Sequence, residues 1–309
     1  PILEMIGHST VFKTLVTQLD KVTKSNGRVM LSGPSGVGKE MAARYIHSHS
    51  DRASAPFVIV NCATIEPDRM EDVLFGHEGR GQGAHQGLLE QANGGVIYFD
   101  EVADMPLVTQ SKILRVLVDQ KFQRVGGNEE VKVDLRVISS TSRDLKQEID
   151  NKTFREELYH RLNVVPIPVP SLEQRREDIP LLADYFIAHF NKTQGLALRH
   201  LSDDASAMLQ TQNWPGNVRQ LKNLIERVLI LGDGTGDILV DDLPNDISSE
   251  TSQGGSIVSG AIATMPLREA REAFEREYLI AQINRFGGNI SKTANFVGME
   301  RSALHRKLF

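Results

Sequence analysis

The sequence has a single cysteine and lacks any long apolar segment. Cys62 is the only cysteine among 309 residues, which excludes an internal disulfide framework and suits a reducing, cytoplasmic setting. No apolar run approaches the roughly 20 residues that cross a bilayer, and no secretory signal is visible. The formal net charge of −5 excludes a chain that binds nucleic acid over its whole surface. A cytoplasmic protein without membrane contact is therefore expected.

The residues that are present predict several globular domains. The chain is 40% hydrophobic and 24% charged, and its length allows two or three domains. Apolar runs alternate with helical patterns before Leu172, which predicts a three-layer α/β domain with a parallel sheet. We expect four segments: an α/β domain at 1–171, a small helical domain at 172–240, a Ser/Gly-rich linker at 241–265, and a helical segment at 266–309.

A glycine-rich segment predicts a phosphate-binding loop. It follows the apolar run Val29-Met30-Leu31 and precedes a predicted helix, and it consists of Gly33, Pro34, Ser35, Gly36, Val37, Gly38, Lys39 and Glu40. Glycines let successive backbone N–H groups face phosphate oxygens, while the helix start and Lys39 add positive charge. The alternative is a plain glycine-rich turn. Glu40 occupies the place where the general motif has a Ser or Thr that holds Mg²⁺, so another carboxylate must bind the metal.

That carboxylate is predicted at the end of the run Val96-Ile97-Tyr98-Phe99. Asp100 and Glu101 follow it directly, and in a parallel sheet ligands bind beyond the carboxyl ends of the strands. An Asp there can hold Mg²⁺, and the adjacent Glu can deprotonate a water that attacks the γ-phosphate of ATP. The alternative interpretation is two solvated loop acids.

Residues 1 to about 240 resemble the central domain of AAA+ transcription activators that work on sigma-54 RNA polymerase, the NtrC family. Besides the glycine-rich loop and Phe99-Asp100-Glu101, the resemblance rests on motifs in a fixed order: Phe57 to Ala63, Leu74 to Glu78, Phe154 to Leu162, Arg176 to Pro180, and Trp214 to Arg219. The family normally carries Glu after the motif Lys, as at Glu40. The resemblance implies an AAA+ P-loop NTPase fold with a helical lid, binding ATP or ADP with Mg²⁺.

The resemblance also implies roles for individual residues. Asn61 matches a switch residue whose amide can hydrogen-bond the Glu101 carboxylate and hold it away from water. Thr141 and Ser142 match the first sensor, where Asn is common at the second position. Arg155 and Arg161 match arginine fingers that act in a neighbouring subunit, and Arg219 matches the second sensor, an Arg that reaches the nucleotide in cis. Fingers that act in trans would require a ring, typically a hexamer in this family.

The sequence departs from the family at the loop that contacts polymerase. These activators carry Gly-Ala-Phe-Thr-Gly-Ala there, whereas residues 79–87 are shorter, contain neither Phe nor Thr, and predict a mobile loop without a stable element. Contact with sigma-54 polymerase and promoter opening through it are therefore in doubt. The departure most resembles the NtrX branch of response regulators, which are paired with an NtrY sensor kinase. The chain begins at Pro1, so a missing N-terminal domain is expected, and the resemblance implies that this domain is a phosphorylatable receiver.

The C-terminal segment predicts a helix-turn-helix. A long amphipathic helix is broken at Gly287-Gly288, and two short helical patterns follow on either side of Gly298, as in the Fis-type domain of the same activators. Residues 285–309 hold five bases and one acid, a net charge of +4. The candidate DNA contacts are Lys292, Arg301, Ser302, His305, Arg306 and Lys307. The long helix predicts a dimer on a palindromic promoter site; a solvated basic tail is the alternative.

Three hypotheses about function remain open from the sequence. The first is a DNA-binding transcription regulator whose oligomeric AAA+ core hydrolyses ATP at subunit interfaces. The second is a DNA-binding repressor or activator in which nucleotide controls only assembly, with little turnover. The third is a remodelling motor for replication or proteolysis, against which the helix-turn-helix argues.

Overall fold

A computed structural model describes residues 4–79, 83–232, 234–244, 247 and 265–308. The chain divides into two compact units. Among the described residues, the sheet unit comprises those within 4–5 and 14–169, and the helical unit comprises those within 6–13 and 170–308. The segment 248–259 of the expected linker lies outside the described residues. Within the described ranges, no helix has both the length and the apolar character required to span a membrane.

The elements follow one another in an order that alternates strands and helices in the first half of the chain. The strands are β1 (Val29–Ser32), β2 (Phe57–Asn61), β3 (Gly76–His77), β4 (His85–Gln86), β5 (Val96–Asp100), β6 (Lys121–Gln123), β7 (Glu130–Lys132), β8 (Arg136–Thr141) and β9 (Val165–Pro168). The helices are α1 (Thr10–Thr23), α2 (Lys39–Ser48), α3 (Met70–Phe75), α4 (Leu88–Gln91), α5 (Leu107–Asp119), α6 (Leu145–Asp150), α7 (Glu156–Leu162), α8 (Ile179–Gln194), α9 (Asp203–Thr211), α10 (Asn217–Leu231), α11 (Leu267–Arg285), α12 (Ile290–Val297) and α13 (Arg301–Leu308).

Five strands form one parallel sheet in the order β2-β5-β8-β1-β9. The inner strands read as near-continuous apolar runs because helices cover both faces of such a sheet. β9 carries Pro166 and Pro168 and lies at the edge, where a missing N–H costs no ladder hydrogen bond. The predicted three-layer α/β class and the edge position of this strand are both confirmed.

A buried arginine links the sheet to the first helix. Arg136 opens β8 and is 1% exposed, and its guanidinium donates to the carbonyls of Val22 and Thr23 at the C-terminal end of α1. These carbonyls have no partner within the helix itself. Burial lowers the pKa of Arg136 to about 10.

The loop at residues 79–87 is more structured at its end than the sequence predicts. His85–Gln86 pairs antiparallel with Gly76–His77, so the prediction of a segment without any regular element is corrected for residues 85–86. Backbone hydrogen bonds make this ladder, and they do not depend on apolar side chains. Gly76 has φ +77°, and a Cβ there would lie 2.6 Å from the carbonyl oxygen of His85, so only glycine fits.

The helical unit has its own core around the single tryptophan. Trp214 is 1% exposed, and its indole N–H donates to the carbonyl of Leu209, 2.9 Å away. Ile238, after the end of α10, forms a β-bridge with Leu201. Leu243 and Ile247, which the sequence placed in a linker, are 4% and 6% exposed. Burial of these apolar side chains orders the start of that segment.

The C-terminal helices α11, α12 and α13 pack around a small apolar centre. Leu279, Ala294 and Leu304 each come from a different helix and are at most 4% exposed. Gly298 ends α12 with φ +73°, the left-handed conformation that glycine adopts without steric cost. The predicted helix, turn and helix are therefore present at the predicted positions.

Candidate nucleotide site and DNA-binding segment

The glycine-rich loop joins β1 to α2 and has the backbone that a phosphate cradle needs. Gly33 and Gly38 have φ of +150° and +102°, which residues with a side chain rarely adopt. A Cβ on Gly33 would lie 2.6 Å from the carbonyl oxygen of Val169. Lys39 begins α2 and is 8% exposed, and its ammonium donates to the carbonyls of Gly33 and Pro34 at 2.5 and 3.2 Å. The Lys39 ammonium thus lies against the loop with which it is predicted to bind phosphate.

The sheet brings the two acids to the same edge as this loop. The ends of the three strands are in register: Ser32 of β1 pairs with Thr141 of β8, and Phe99 of β5 pairs with Ser139 of β8. Only β8 lies between β1 and β5, so their ends are about 10 Å apart at the usual strand spacing. That distance suits a triphosphate held by the loop at one end and by the acids at the other.

Asp100 is held by two hydroxyls. Oδ1 accepts hydrogen bonds from Ser140 Oγ at 2.9 Å and from the Tyr98 hydroxyl at 3.4 Å, while Oδ2 accepts none within the described residues. Burial, with the charge of Asp100 as the next cause, raises the pKa of Tyr98 far above its usual value. Ser140 was not singled out from the sequence; the polar end of its strand was the available signal.

Glu101 is bound by the residues at the C-terminal end of β8, Thr141 and Ser142. Ser142 donates from its backbone N–H to both carboxylate oxygens at 3.2 Å and from its hydroxyl to Oε2 at 2.6 Å. The Thr141 hydroxyl lies 3.4 Å from Oε1. The hydrogen bond expected from Asn61 to Glu101 is not made among the described residues. Asn61 ends β2, which pairs with β5 at Asp100, so it lies beside the acids without touching Glu101.

The acids make this edge of the sheet electronegative. The pKa of the Cys62 thiol is raised to about 12, first by burial and then by the charges of Asp100, Asp104 and Glu101. Among the described residues, no group of three or more His, Cys, Asp or Glu side chains could hold a metal ion by itself. Mg²⁺ is usually held by one or two carboxylates together with substrate phosphates, so a single Asp is sufficient.

The two candidate arginine fingers differ in their surroundings, although both are exposed. Arg155 precedes α7, and its Nε donates to the carbonyl of Leu107 at 3.1 Å. The guanidinium of Arg161, in the last turn of α7, makes no hydrogen bond or ion pair to the described part of the chain. The acids of α7 do not pair with either arginine: Glu156 lies 3.6 Å from His160 instead. Arg219, the candidate second sensor, is exposed in the first turn of α10.

The candidate DNA contacts lie on α12 and α13 in the helical unit. Arg301, Ser302, His305 and Arg306 are exposed on α13, whereas Leu304 of the same helix is buried. Lys307 Nζ lies 2.5 Å from Glu275 of α11, and Lys292 of α12 lies 3.6 Å from Glu177. Two of the six predicted contacts are therefore already engaged with acids of the same unit.

A phosphate loop beside paired acids on a parallel sheet, followed in the same chain by a helix-turn-helix, defines an AAA+ P-loop NTPase with a DNA-binding domain. Comparison with known families agrees. The sigma-54 interaction domain matches residues 5–168, the AAA+ ATPase lid domain matches residues 173–258, and the Fis family of bacterial regulatory proteins matches residues 270–308. The chain belongs to the NtrC-type family of sigma-54 AAA+ transcription regulators.

Within that family the chain is similar to NtrX proteins. NtrX of Azorhizobium caulinodans is 54% identical over 98% of this chain and 68% of that protein. The NtrC regulator of Escherichia coli is 37% identical over 100% of this chain and 70% of that protein. A crystal structure of Brucella abortus NtrX in complex with ATP has a TM-score of 0.90 and 54% identity, covering 99% of this chain and 69% of that one. The chain thus spans about two thirds of the length of these relatives.

Proposed function

We propose that this chain binds Mg²⁺ and ATP at the carboxyl edge of its sheet, hydrolyses the ATP between subunits, and regulates transcription in the cytoplasm from a palindromic promoter site. The observation that supports the proposal is the shared sheet edge of the Lys39 loop and the acids Asp100 and Glu101. NtrX of Brucella abortus has been crystallised with ATP and with ADP, which supports the same ligands here. A preceding receiver domain would connect the regulator to a sensor kinase.

The residues at this edge fit the metal that such a nucleotide requires. Oδ1 of Asp100 is fixed by Ser140 and Tyr98, and Oδ2 accepts no hydrogen bond from the described residues. A fixed carboxylate with one uncommitted oxygen is a suitable ligand for Mg²⁺ or for a water in its shell. When bound, Mg²⁺ would supply positive charge to the β- and γ-phosphates. Glu40, half a turn into α2, lies 3.5 Å from Arg44 and is not required for this role.

The chemical step assigns separate tasks to Lys39 and Glu101. Lys39 and the backbone N–H groups of the loop hold the phosphates. The water oxygen forms a bond to the γ-phosphorus, the bond to the bridging oxygen breaks, and its electron pair leaves with ADP. Glu101 takes the proton from the water and passes it to the released phosphate. Arg161 or Arg155 of a neighbouring subunit would neutralise charge on the γ-phosphate, so turnover would require an oligomer, with six subunits as the expected ring.

A second candidate function is supported by the loop at residues 79–87. Its sequence has no Phe or Thr that could anchor a contact with sigma-54. In this alternative, ATP binding controls only the assembly of a DNA-bound repressor or activator. Transcription in vitro from a sigma-54 promoter and from a sigma-70 promoter tests which polymerase the protein acts on. We expect the protein to change the transcript level from the sigma-70 promoter. Activation of the sigma-54 promoter would contradict that expectation.

Steady-state hydrolysis measured against protein concentration separates the two candidates. We expect the rate per subunit to rise with concentration and to vanish in Glu101→Gln, which preserves the shape of the side chain but cannot accept a proton. ATP binding by Glu101→Gln should equal that of the unmodified chain. Tight ATP binding without turnover at any concentration would instead support the assembly function.

A further inference from the structure

The Glu101 carboxylate, which is proposed to activate the attacking water, is already bound by residues at the end of β8. A carboxylate oxygen has two lone pairs. Oε2 accepts from the Ser142 hydroxyl and shares the single backbone N–H of Ser142 with Oε1. The Thr141 hydroxyl, 3.4 Å from Oε1, lies closer to the carbonyl of Arg143, at 3.0 Å. The shortest of these contacts, at 2.6 Å, is the one from the Ser142 hydroxyl to Oε2.

The backbone around Glu101 is arranged to produce this contact. Glu101 has φ +53° and ψ +62°, a left-handed conformation that is uncommon for a residue with a side chain. Its backbone N–H donates to Ser140 Oγ at 3.2 Å, so the chain turns toward the end of β8 directly after Asp100. Strain of this kind persists only where surrounding contacts impose it, and it is common at functional sites. The position of Glu101 therefore depends on β8.

We infer that the Ser142 hydroxyl is a latch that withholds Glu101 from the attacking water. The inference rests on the proposed hydrolysis. Release requires only that the hydroxyl rotate about the side-chain bond of Ser142, which frees one lone pair of Oε2 without movement of the sheet. Ser142 acts through Glu101 and is therefore a positioning residue. A phosphate-sensing role for Ser142 would have the opposite consequence, because its loss would then slow turnover.

Three variants test the latch in the full chain with Mg²⁺ and ATP. Ser142→Ala removes the hydroxyl and keeps the backbone N–H, so kcat should rise by about tenfold, the factor expected for one hydrogen bond to a charged group. KM and the dissociation constant for ATP should stay unchanged. Ser142→Thr retains a hydroxyl and should return kcat to the unmodified value. Ser142→Ala combined with Glu101→Gln should be inactive, which would show that the gain passes through Glu101.

The matched control is Ser139→Ala on β8, the strand that Ser142 follows. The Ser139 hydroxyl is fully buried and has no hydrogen-bond partner within the described residues, so its removal should leave kcat unchanged. Sedimentation at the assay concentration checks that all variants have the same oligomeric state. If the unmodified chain hydrolyses ATP and Ser142→Ala does so with no higher kcat, the latch is wrong, but the proposed hydrolysis is retained. If both chains bind ATP and neither turns it over, the latch and the proposed hydrolysis both fail.

Discussion

Asp178 accepts hydrogen bonds from both the backbone N–H and the hydroxyl of Ser9, at 2.8 and 2.6 Å, although 169 residues separate them in sequence. Asp178 is fully buried, and it also accepts from the backbone N–H of His8 and from Arg175 Nε, each at 2.8 Å. The guanidinium of Arg175 in turn lies over the ring of Phe12, 4.2 Å from its centre. One carboxylate thus attaches residues 8–12 to the rest of the helical unit.

Loss of the Asp178 charge should destabilise the helical unit. Asp178→Asn leaves Arg175 buried without a counter-ion, and breaking a buried ion pair in this way costs about 3–5 kcal/mol. The measurement is urea unfolding at pH 7. Asp184→Asn is the control, because Asp184 is about half exposed and its ion-pair contact is with the exposed His200, 3.6 Å away. We expect this variant to change the free energy of unfolding by less than about 0.5 kcal/mol. Equal stabilities of the two variants would contradict the role of Asp178.

The same carboxylate predicts the pH dependence of stability. Burial alone would raise the pKa of Asp178, but hydrogen bonds from Ser9 and His8 and the charge of Arg175 lower it below the usual value. Its contribution is therefore fully present above the unfolded pKa, about 3.9, and is lost as the pH falls through the folded pKa. Unfolding titrations from pH 6 to acid should show this loss in the unmodified chain, and a parallel curve for Asp178→Asn would refute it.

Nucleotide binding should depend on Lys39, and its magnesium dependence on Asp100. ATP at a hundred times its dissociation constant should stabilise the chain by about 2.7 kcal/mol, seen as a rise in Tm. Lys39→Ala should lose this rise, whereas Asp100→Asn should retain ATP binding that no longer responds to EDTA. Lys112→Ala, which removes an exposed partner of Glu71, is the control and should behave as the unmodified chain. A full Tm rise in Lys39→Ala would exclude the proposed site.

An arginine finger that acts in trans should be detectable by mixing inactive variants. Arg161→Ala keeps Glu101, and Glu101→Gln keeps Arg161, so each alone should be inactive. In an equal mixture, roughly a quarter of the interfaces combine an intact Glu101 with an intact Arg161 across a cyclic ring, and about that share of activity should return. Arg155→Ala, tested in the same way, determines which arginine is the finger. No recovery in either mixture would place the fingers in cis or exclude them.

DNA binding should depend on the exposed bases of α13. Arg301→Ala should weaken binding to promoter DNA and reduce the slope of affinity against salt by about 1 if the arginine contacts a phosphate. Arg268→Ala is the control because its side chain is 92% exposed on α11, outside the helix-turn-helix. Fluorescence anisotropy at several salt concentrations measures both. Equal slopes for the two variants would contradict the assignment of α13.

The order of local elements could be predicted from the sequence, whereas many of the contacts at the candidate site could not. The phosphate loop, the β5 acids and the three C-terminal helices follow from residue type and spacing within short windows. The resemblance implied that the Asn61 amide can hydrogen-bond Glu101, whereas among the described residues Ser142 donates to that carboxylate. The strand end that faces Glu101 is that of β8, because β8 lies between β1 and β5 in the sheet. No local sequence pattern specifies that strand order.

The sequence by itself determined where the chain turns, where phosphate can approach a backbone free of side chains, and where basic residues gather, because glycine, apolar periodicity and charge act over a few residues. Only the tertiary structure decided that Ser142 donates a hydrogen bond to the Glu101 carboxylate and that Ser9 donates one to Asp178. The physical reason is that a hydrogen bond requires two atoms within about 3 Å, and for residues 41 and 169 positions apart that proximity results from packing of the whole unit.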